Sequence, residues 1–158
     1  MHLARTLTGL ALLISLALGL DLLGDARAAE DEKPYSVSAD GVADWATFSG
    51  FRRYHSECHV CHGPDALGSS FAPPLADSMK RLSYDEYLEV VVNGRQNVSA
   101  SSDKVMPAFG ENKNVMCYVD DIYAYLMARA DGAIGRGRPK HGDKPQEAKE
   151  HEEACMAP

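Results

Sequence analysis

The stretch Cys58-His59-Val60-Cys61-His62 carries the reading of this chain. Its C-x-x-C-H spacing is the one that attaches haem c. Two thiols two residues apart can add across the two vinyl groups of one haem. The next residue, His62, is then held under the iron, where an imidazole nitrogen serves as the proximal ligand. Cys58 and Cys61 are therefore read as cofactor-binding residues and His62 as an axial ligand. Three other readings compete. A thioredoxin-like redox pair would follow a strand and open a helix, but what precedes Cys58 looks helical. A zinc site would need a second ligand pair, and Cys117 and Cys155 stand too far apart to form one. Chance occurrence is the third, and the compartment argues against it.

Residues 1–28 read as a secretory signal. Arg5 gives a positive start, Leu7 to Leu20 is almost wholly apolar, and Ala26-Arg27-Ala28 offers small residues at a cleavage site. A membrane anchor is the alternative, but the apolar run is short for a span and is broken by Asp21, Gly24 and Asp25. The expectation is export to the periplasm, cleavage near Ala28, and no membrane span thereafter. Haem c is attached to reduced thiols outside the cytoplasm, so signal and motif support each other. An oxidising compartment also permits disulfides. Of the four cysteines, two are assigned to the haem, and Cys117 and Cys155 remain as an expected disulfide. The formal net charge is −7. Arg5 and Arg27 balance Asp21 and Asp25, so the mature chain keeps that charge. A nucleic-acid ligand would need a basic surface; an acidic one suits a soluble carrier that docks onto proteins.

The organisation beyond the signal is a polar leader over 29–43, a domain over 44–130 and a polar tail over 131–158. Asp44 is placed to cap a helix in which Phe48, Phe51 and Tyr54 recur at helical spacing. Gly63 to Pro74 must be loop. Ser83 with Glu86 makes a capping box for a helix through Tyr87, Leu88, Val91 and Val92, which Asn93-Gly94 ends. A second loop runs from Arg95 to Asn112. The last helix, about Asn114 to Ala130, repeats Val115, Tyr118, Val119, Ile122, Tyr125 and Leu126 at 3.6-type periodicity. No strand alternation stands out, and the fold class expected is a small all-α domain. The tail is too polar for a core of its own, and Cys155 would tie it back to Cys117. Its basic stretch, Arg136 to His141, reads as a solvated tail or as a docking patch for an acidic partner.

His62 needs a partner on the far haem face. The candidates are Met79, Met106, Met116, Met127 and Met156, with His55, His59, His141 and His151. Most methionines in such a chain fill the core. Met106 stands apart: it lies in a loop and is followed by Pro107, which stiffens the backbone presenting it. It is the favoured second ligand, with a histidine as runner-up. Imidazole and thioether together close the iron to oxygen chemistry and raise its potential relative to a second nitrogen. His62 must also be oriented by an acceptor for its other ring N–H, and Pro73-Pro74-Leu75 offers a rigid turn with free carbonyls.

From about Asp44 to Ala130 these residues resemble the class I c-type cytochromes. The points of match are Gly50 with Tyr54, Cys58-x-x-Cys61-His62-Gly63, Pro74-Leu75, Met106-Pro107 and Tyr125-Leu126. The resemblance implies helices wrapped around one covalent haem c, a first helix crossing the last so that Gly50 and Tyr54 meet Tyr125, and the Pro74 carbonyl as acceptor for His62. The segment from Met106 through Cys117 to Tyr123, the segment Asp131 to Pro139 and the two extra cysteines are similar to the four-cysteine, methanol-metabolism-related c-type cytochromes. That similarity implies an electron carrier, not an enzyme. It would accept electrons from a PQQ-dependent methanol (alcohol) dehydrogenase and pass them to a downstream cytochrome or terminal oxidase. The alternatives are a peroxidase-like haem enzyme and a gas sensor with a displaceable methionine.

Overall fold

Asp44 opens the first long helix. Its Oδ1 accepts the Thr47 amide at 2.7 Å, while the other carboxylate oxygen holds the Ser36 amide. A side-chain acceptor at this position satisfies an amide that the helix itself leaves unpaired. Helix α1 (Trp45–Glu57) buries Thr47, Phe48, Ser49, Gly50 and Tyr54. Cys58 ends it, with its amide on the Tyr54 carbonyl, and the short α2 (His59–His62) follows. A tight 3₁₀ turn (Pro64–Ala66) and a loop lead to α3 (Leu75–Ser78). Helix α4 (Tyr84–Asn93) begins with both halves of the Ser83–Glu86 capping box in place and buries Tyr87 and Val91. After α5 (Lys113–Met116), helix α6 (Val119–Ala130) crosses α1 and buries Ile122, Tyr125, Leu126 and the small Ala124 and Ala128. The structure, a computed structural model, describes residues 33–99 and 102–158. The predicted signal peptide over 1–28 lies outside them.

Helix α1 packs on α6 at backbone contact. A Cβ built on Gly50 would lie 1.8 Å from the Asp121 carbonyl oxygen and 2.9 Å from the Ile122 nitrogen, so only glycine fits. Gly50 thus meets Asp121 and Ile122, and the expected contact with Tyr125 falls to Tyr54 and Phe51. Their ring centroids lie 5.3 and 5.7 Å from that of Tyr125.

Three regions differ from the sequence expectation. The stretch read as one loop from Arg95 contains an antiparallel pair, β2 (Arg95–Ser99) with β3 (Ser102–Met106), in the register Arg95 opposite Met106. Its residues, Arg-Gln-Asn-Val-Ser and Ser-Asp-Lys-Val-Met, lack the alternation that marks a half-buried strand, so the pattern had nothing to show. The last helix is interrupted at Cys117–Tyr118, where Tyr118 leaves helical geometry (φ −135°, ψ 19°). The leader and tail are also less separate from the domain than composition suggests. A short strand β1 (Val42–Ala43) pairs in parallel with β4 (Lys140–His141). The Asp131 carboxylate accepts from Lys33 at 2.8 Å and Tyr35 at 2.6 Å, and Ala43 and Ile134 both enter the main core. Residues 33–158 form one compact unit.

The tail ends in α7 (Gln146–Met156), which buries no residue of its own. It is held instead by the Cys117–Cys155 disulfide, Cα atoms 5.7 Å apart across a sequence separation of 38, and by His151, whose Nε2 donates to the Cys117 carbonyl at 2.9 Å. Replacing both cysteines by serine is expected to lower stability by up to about 4 kcal/mol in the chain-entropy model. Helical signal from α7 should melt ahead of the main transition. An unchanged denaturant midpoint with an unchanged circular dichroism spectrum would show that the bond holds nothing the rest of the fold does not.

Candidate haem-binding cleft

Five helices and a strand end deliver side chains to one apolar cleft. Cys58 comes from the end of α1 and His62 from the end of α2. Leu75 opens α3, Tyr87 and Val91 come from α4, Met106 from the end of β3, and Ile122 and Leu126 from α6. The walls are hydrocarbon and aromatic, which suits a large flat apolar ligand and excludes water. Tyr87 keeps its polar end satisfied by donating to the Val119 carbonyl at 3.0 Å, so it presents its ring to the cleft at no hydrogen-bonding cost.

Neither Cys58 nor Cys61 is in a disulfide. Burial above all, with the charges of Glu57 and Cys61, pushes the Cys58 thiol up to about 12. A disulfide-exchange nucleophile needs a lowered thiol pKa, so this environment opposes the thioredoxin-like reading. His62 is 7% exposed. Its Nδ1 lies 3.0 Å from the Pro73 carbonyl. A carbonyl can only accept, so Nδ1 carries the proton and Nε2 is left with its lone pair. Burial lowers the His62 pKa, the hydrogen bond to Pro73 opposing it, and the neutral ring is the form that can bind a metal.

The orienting acceptor is therefore Pro73 and not Pro74. The Pro74 carbonyl is used by the first turn of α3, where it accepts from the Ser78 amide at 3.2 Å and the Ser78 hydroxyl at 3.1 Å. Both carbonyls looked equally free in the sequence, because neither proline carries an N–H. The helix that begins at Leu75 separates them.

Of the candidates for the second axial position, Met106 alone lines the cleft with His62 among the described residues. Met79 is buried in the core, Met116 and Met127 pack against it, and Met156 belongs to α7. His141 stacks on Phe48 at 3.5 Å between centroids, His55 lies against Phe51, and His151 is bonded to the Cys117 carbonyl. His59 lies beside His55. The Met106 backbone is held from two sides. Phe109 and Gly110 donate to the Val91 and Val92 carbonyls at 2.9 and 3.1 Å. Gly94, at φ +71°, lets the end of α4 approach so closely that a Cβ would lie 2.5 Å from the Met106 carbonyl oxygen. Sequence reasoning missed the walls supplied by Tyr87, Phe109 and Val115. Helical spacing marks Tyr87 and Val115 only as core, and Phe109 lies in a stretch read as loop.

The thiol pair, the imidazole with a free Nε2, the thioether and the apolar walls together fit haem c. A family model described as cytochrome c oxidase, cbb3-type, subunit III matches residues 46–126, a span that takes in the thiol pair, His62 and Met106. The chain belongs to the c-type cytochromes. It is 53% identical over 130 residues to cytochrome c-553I of Paracoccus denitrificans, covering 82% of this chain and 58% of that protein. It is 39% identical over 104 residues to cytochrome c-555 of Methylococcus capsulatus, covering 65% of this chain and 76% of that one. Its fold is similar to the crystal structure of the c-type cytochrome XoxG from Methylobacterium extorquens AM1, with TM-score 0.66 and 49% identity. That match covers 85% of this chain and 89% of the other. This cytochrome thus spans 58% of the length of its Paracoccus relative. Its cofactor is covalently bound haem c. Among the described residues no helix is long and apolar enough to cross a membrane.

Proposed function

We propose that this cytochrome is a periplasmic carrier of single electrons, with Cys58 and Cys61 as the haem thioethers and His62 and Met106 as the two axial ligands. The observation that carries this reading is the convergence of His62 and Met106 on one apolar cleft. When bound, haem c supplies a ferric–ferrous couple. The rest is the work of the chain. His62 offers Nε2 because Pro73 holds its other nitrogen. Met106 offers a thioether from a backbone clamped to α4. Tyr87, Val91, Ile122 and Leu126 keep water from the centre. With both axial positions taken, no site remains for bond chemistry, which argues against the peroxidase-like and gas-sensing alternatives. Val60, Leu67 and Phe71, within and shortly after the motif in sequence, are exposed and offer apolar surface to a protein partner.

The donor we propose is a PQQ-dependent methanol or alcohol dehydrogenase, and the acceptor a downstream cytochrome or terminal oxidase. The support is the four-cysteine pattern, the Met106–Tyr123 and Asp131–Pro139 segments, and the similarity to XoxG. Alcohol oxidation releases two electrons, so two molecules of ferric cytochrome are consumed per alcohol. Mixing the ferric protein with such a dehydrogenase and methanol should reduce the haem only when all three are present. Absence of reduction would remove the partner assignment and leave the electron-carrier reading standing.

Met106→Ala tests the second ligand separately. The ferric form should lose its sulfur-to-iron charge-transfer band, the ferrous form should gain carbon monoxide binding, and the potential should fall. A wild-type ferrous protein that already binds carbon monoxide at neutral pH would overturn the assignment of Met106.

A further inference from the structure

The basic stretch after α6 is not a free patch. Arg138 lies over the Phe48 ring at 5.0 Å, His141 stacks on the same ring, and Lys140 pairs with Val42. Arg136 turns to Asp65. Its Nε donates to Asp65 Oδ2 at 3.1 Å, and the Gly137 amide donates to Oδ1 at 2.7 Å. The main chain of Asp65 is held as well, its carbonyl accepting from Arg129 Nε at 3.1 Å, while Arg129 Nη1 reaches the Ile134 carbonyl at 2.8 Å. Asp65 is 5% exposed, so its bonds to Arg129, Arg136 and Gly137 are sheltered on the aspartate's side, although the Arg136 side chain is itself exposed.

Asp65 and Ala66 are also the non-glycine residues with positive φ among those described, at 60° and 61°. Side chains bearing a Cβ disfavour that region, and such a conformation persists only where the surroundings over-determine it. Here the surroundings are Arg129, Arg136 and Gly137. The constrained pair sits in a loop with both ends on His62. At one end the Gly68 amide donates to the His62 carbonyl at 2.7 Å and the Tyr54 hydroxyl to the Gly63 carbonyl at 2.5 Å. At the other, the Pro73 carbonyl accepts the His62 Nδ1 proton.

We propose that Asp65 is a positioning residue for His62: its carboxylate fastens the 63–74 loop to the segment after α6 and so holds the Pro73 carbonyl on the imidazole. The inference rests on His62 being the axial ligand. The aspartate acts as an anion. Burial alone would raise its pKa, but the Gly137 amide and the two arginines outweigh that and lower it. A firm hydrogen bond at Nδ1 makes the ring a stronger donor at Nε2 and favours the ferric state. Losing the clasp, and its negative charge, should therefore favour the ferrous state.

The test uses the holoprotein with haem attached. In Asp65→Ala the ferrous protein should exchange the Gly68 amide and His62 Nδ1 protons at least tenfold faster by NMR. Its reduced-to-oxidised ratio against a fixed redox mediator should rise several-fold. Asp65→Asn keeps an acceptor for the Gly137 amide and should show a smaller change of the same sign; it and Arg136→Ala decide the matter if the alanine variant does not fold. The Cys117→Ser, Cys155→Ser double variant frees α7 without touching Asp65, and should leave both readouts at wild-type values. Wild-type exchange and wild-type ratio in the Asp65 variants would overturn the proposal, as would equal changes in the disulfide control. If instead His62→Ala leaves the wild-type ligand spectrum intact, the ligand reading itself has failed.

Discussion

Replacing Cys58 and Cys61 together by alanine should yield a chain from which all haem dissociates on denaturation, against essentially complete retention in the wild type. The difference lies in the covalent attachment. On the proposed assignment His62 and Met106 would hold haem by coordination, which denaturant breaks, whereas thioethers at Cys58 and Cys61 would survive it. Haem staining of a denaturing gel, with the intact mass of the chain, reads the result directly. Single replacements leave one attachment point and should retain haem with lower yield. The double variant should also be poorly folded. Tyr87, Val91, Val115, Ile122 and Leu126 line the cleft that the haem would fill. A ligand retained only by coordination would cover them only in part of the molecules. A mass that still includes haem in the double variant would remove these cysteines from the attachment.

How much of this was legible in the chain can be judged residue by residue. Asp44, Ser83 with Glu86, and the periodic apolar run from Val119 announce helices because caps and spacing act locally, and those helices are where the spacing puts them. The thiol pair and His62 are adjacent in sequence, so their chemistry could be read without a fold. The acceptor for His62 could not. The choice between Pro73 and Pro74 depends on α3 beginning at Leu75 and using the Pro74 carbonyl for its own first turn. The β2–β3 pair was hidden because Arg-Gln-Asn-Val-Ser and Ser-Asp-Lys-Val-Met carry no apolar–polar alternation. The Asp65 clasp was hidden because its partners lie 64 and 71 residues along the chain and carry no motif. Arg136 looked like surface charge; only the turn after α6 brings it to the aspartate. The missed features are those set by tertiary contact, and several of them bear on His62.

The α1–α6 crossing invites the sharpest packing test. Gly50→Ala adds one methyl group, and at an ordinary helix interior position that change stabilises by about 0.5–1 kcal/mol through helix propensity. Here it should destabilise by about 3 kcal/mol or more. The new Cβ would stand 1.8 Å from the Asp121 carbonyl oxygen and 2.4 Å from its carbon, where real Cβ atoms essentially never come within 3.0 Å. Both obstacles are backbone, so no side-chain rotation relieves them, and overpacking of this kind shifts whole elements. Helix α6 would have to move outward by more than an ångström, carrying Ile122 and Leu126 away from the haem cleft and Tyr125 away from Tyr54. Tyr54 in turn donates to the Gly63 carbonyl beside His62, so the strain reaches the ligand loop. The expected result is a markedly lower guanidinium midpoint at similar slope, with a reduced yield of haem-loaded protein. A midpoint equal to or above that of the wild type would mean that the helices do not cross at backbone contact. The rigid frame argued for His62 would then lose its first support.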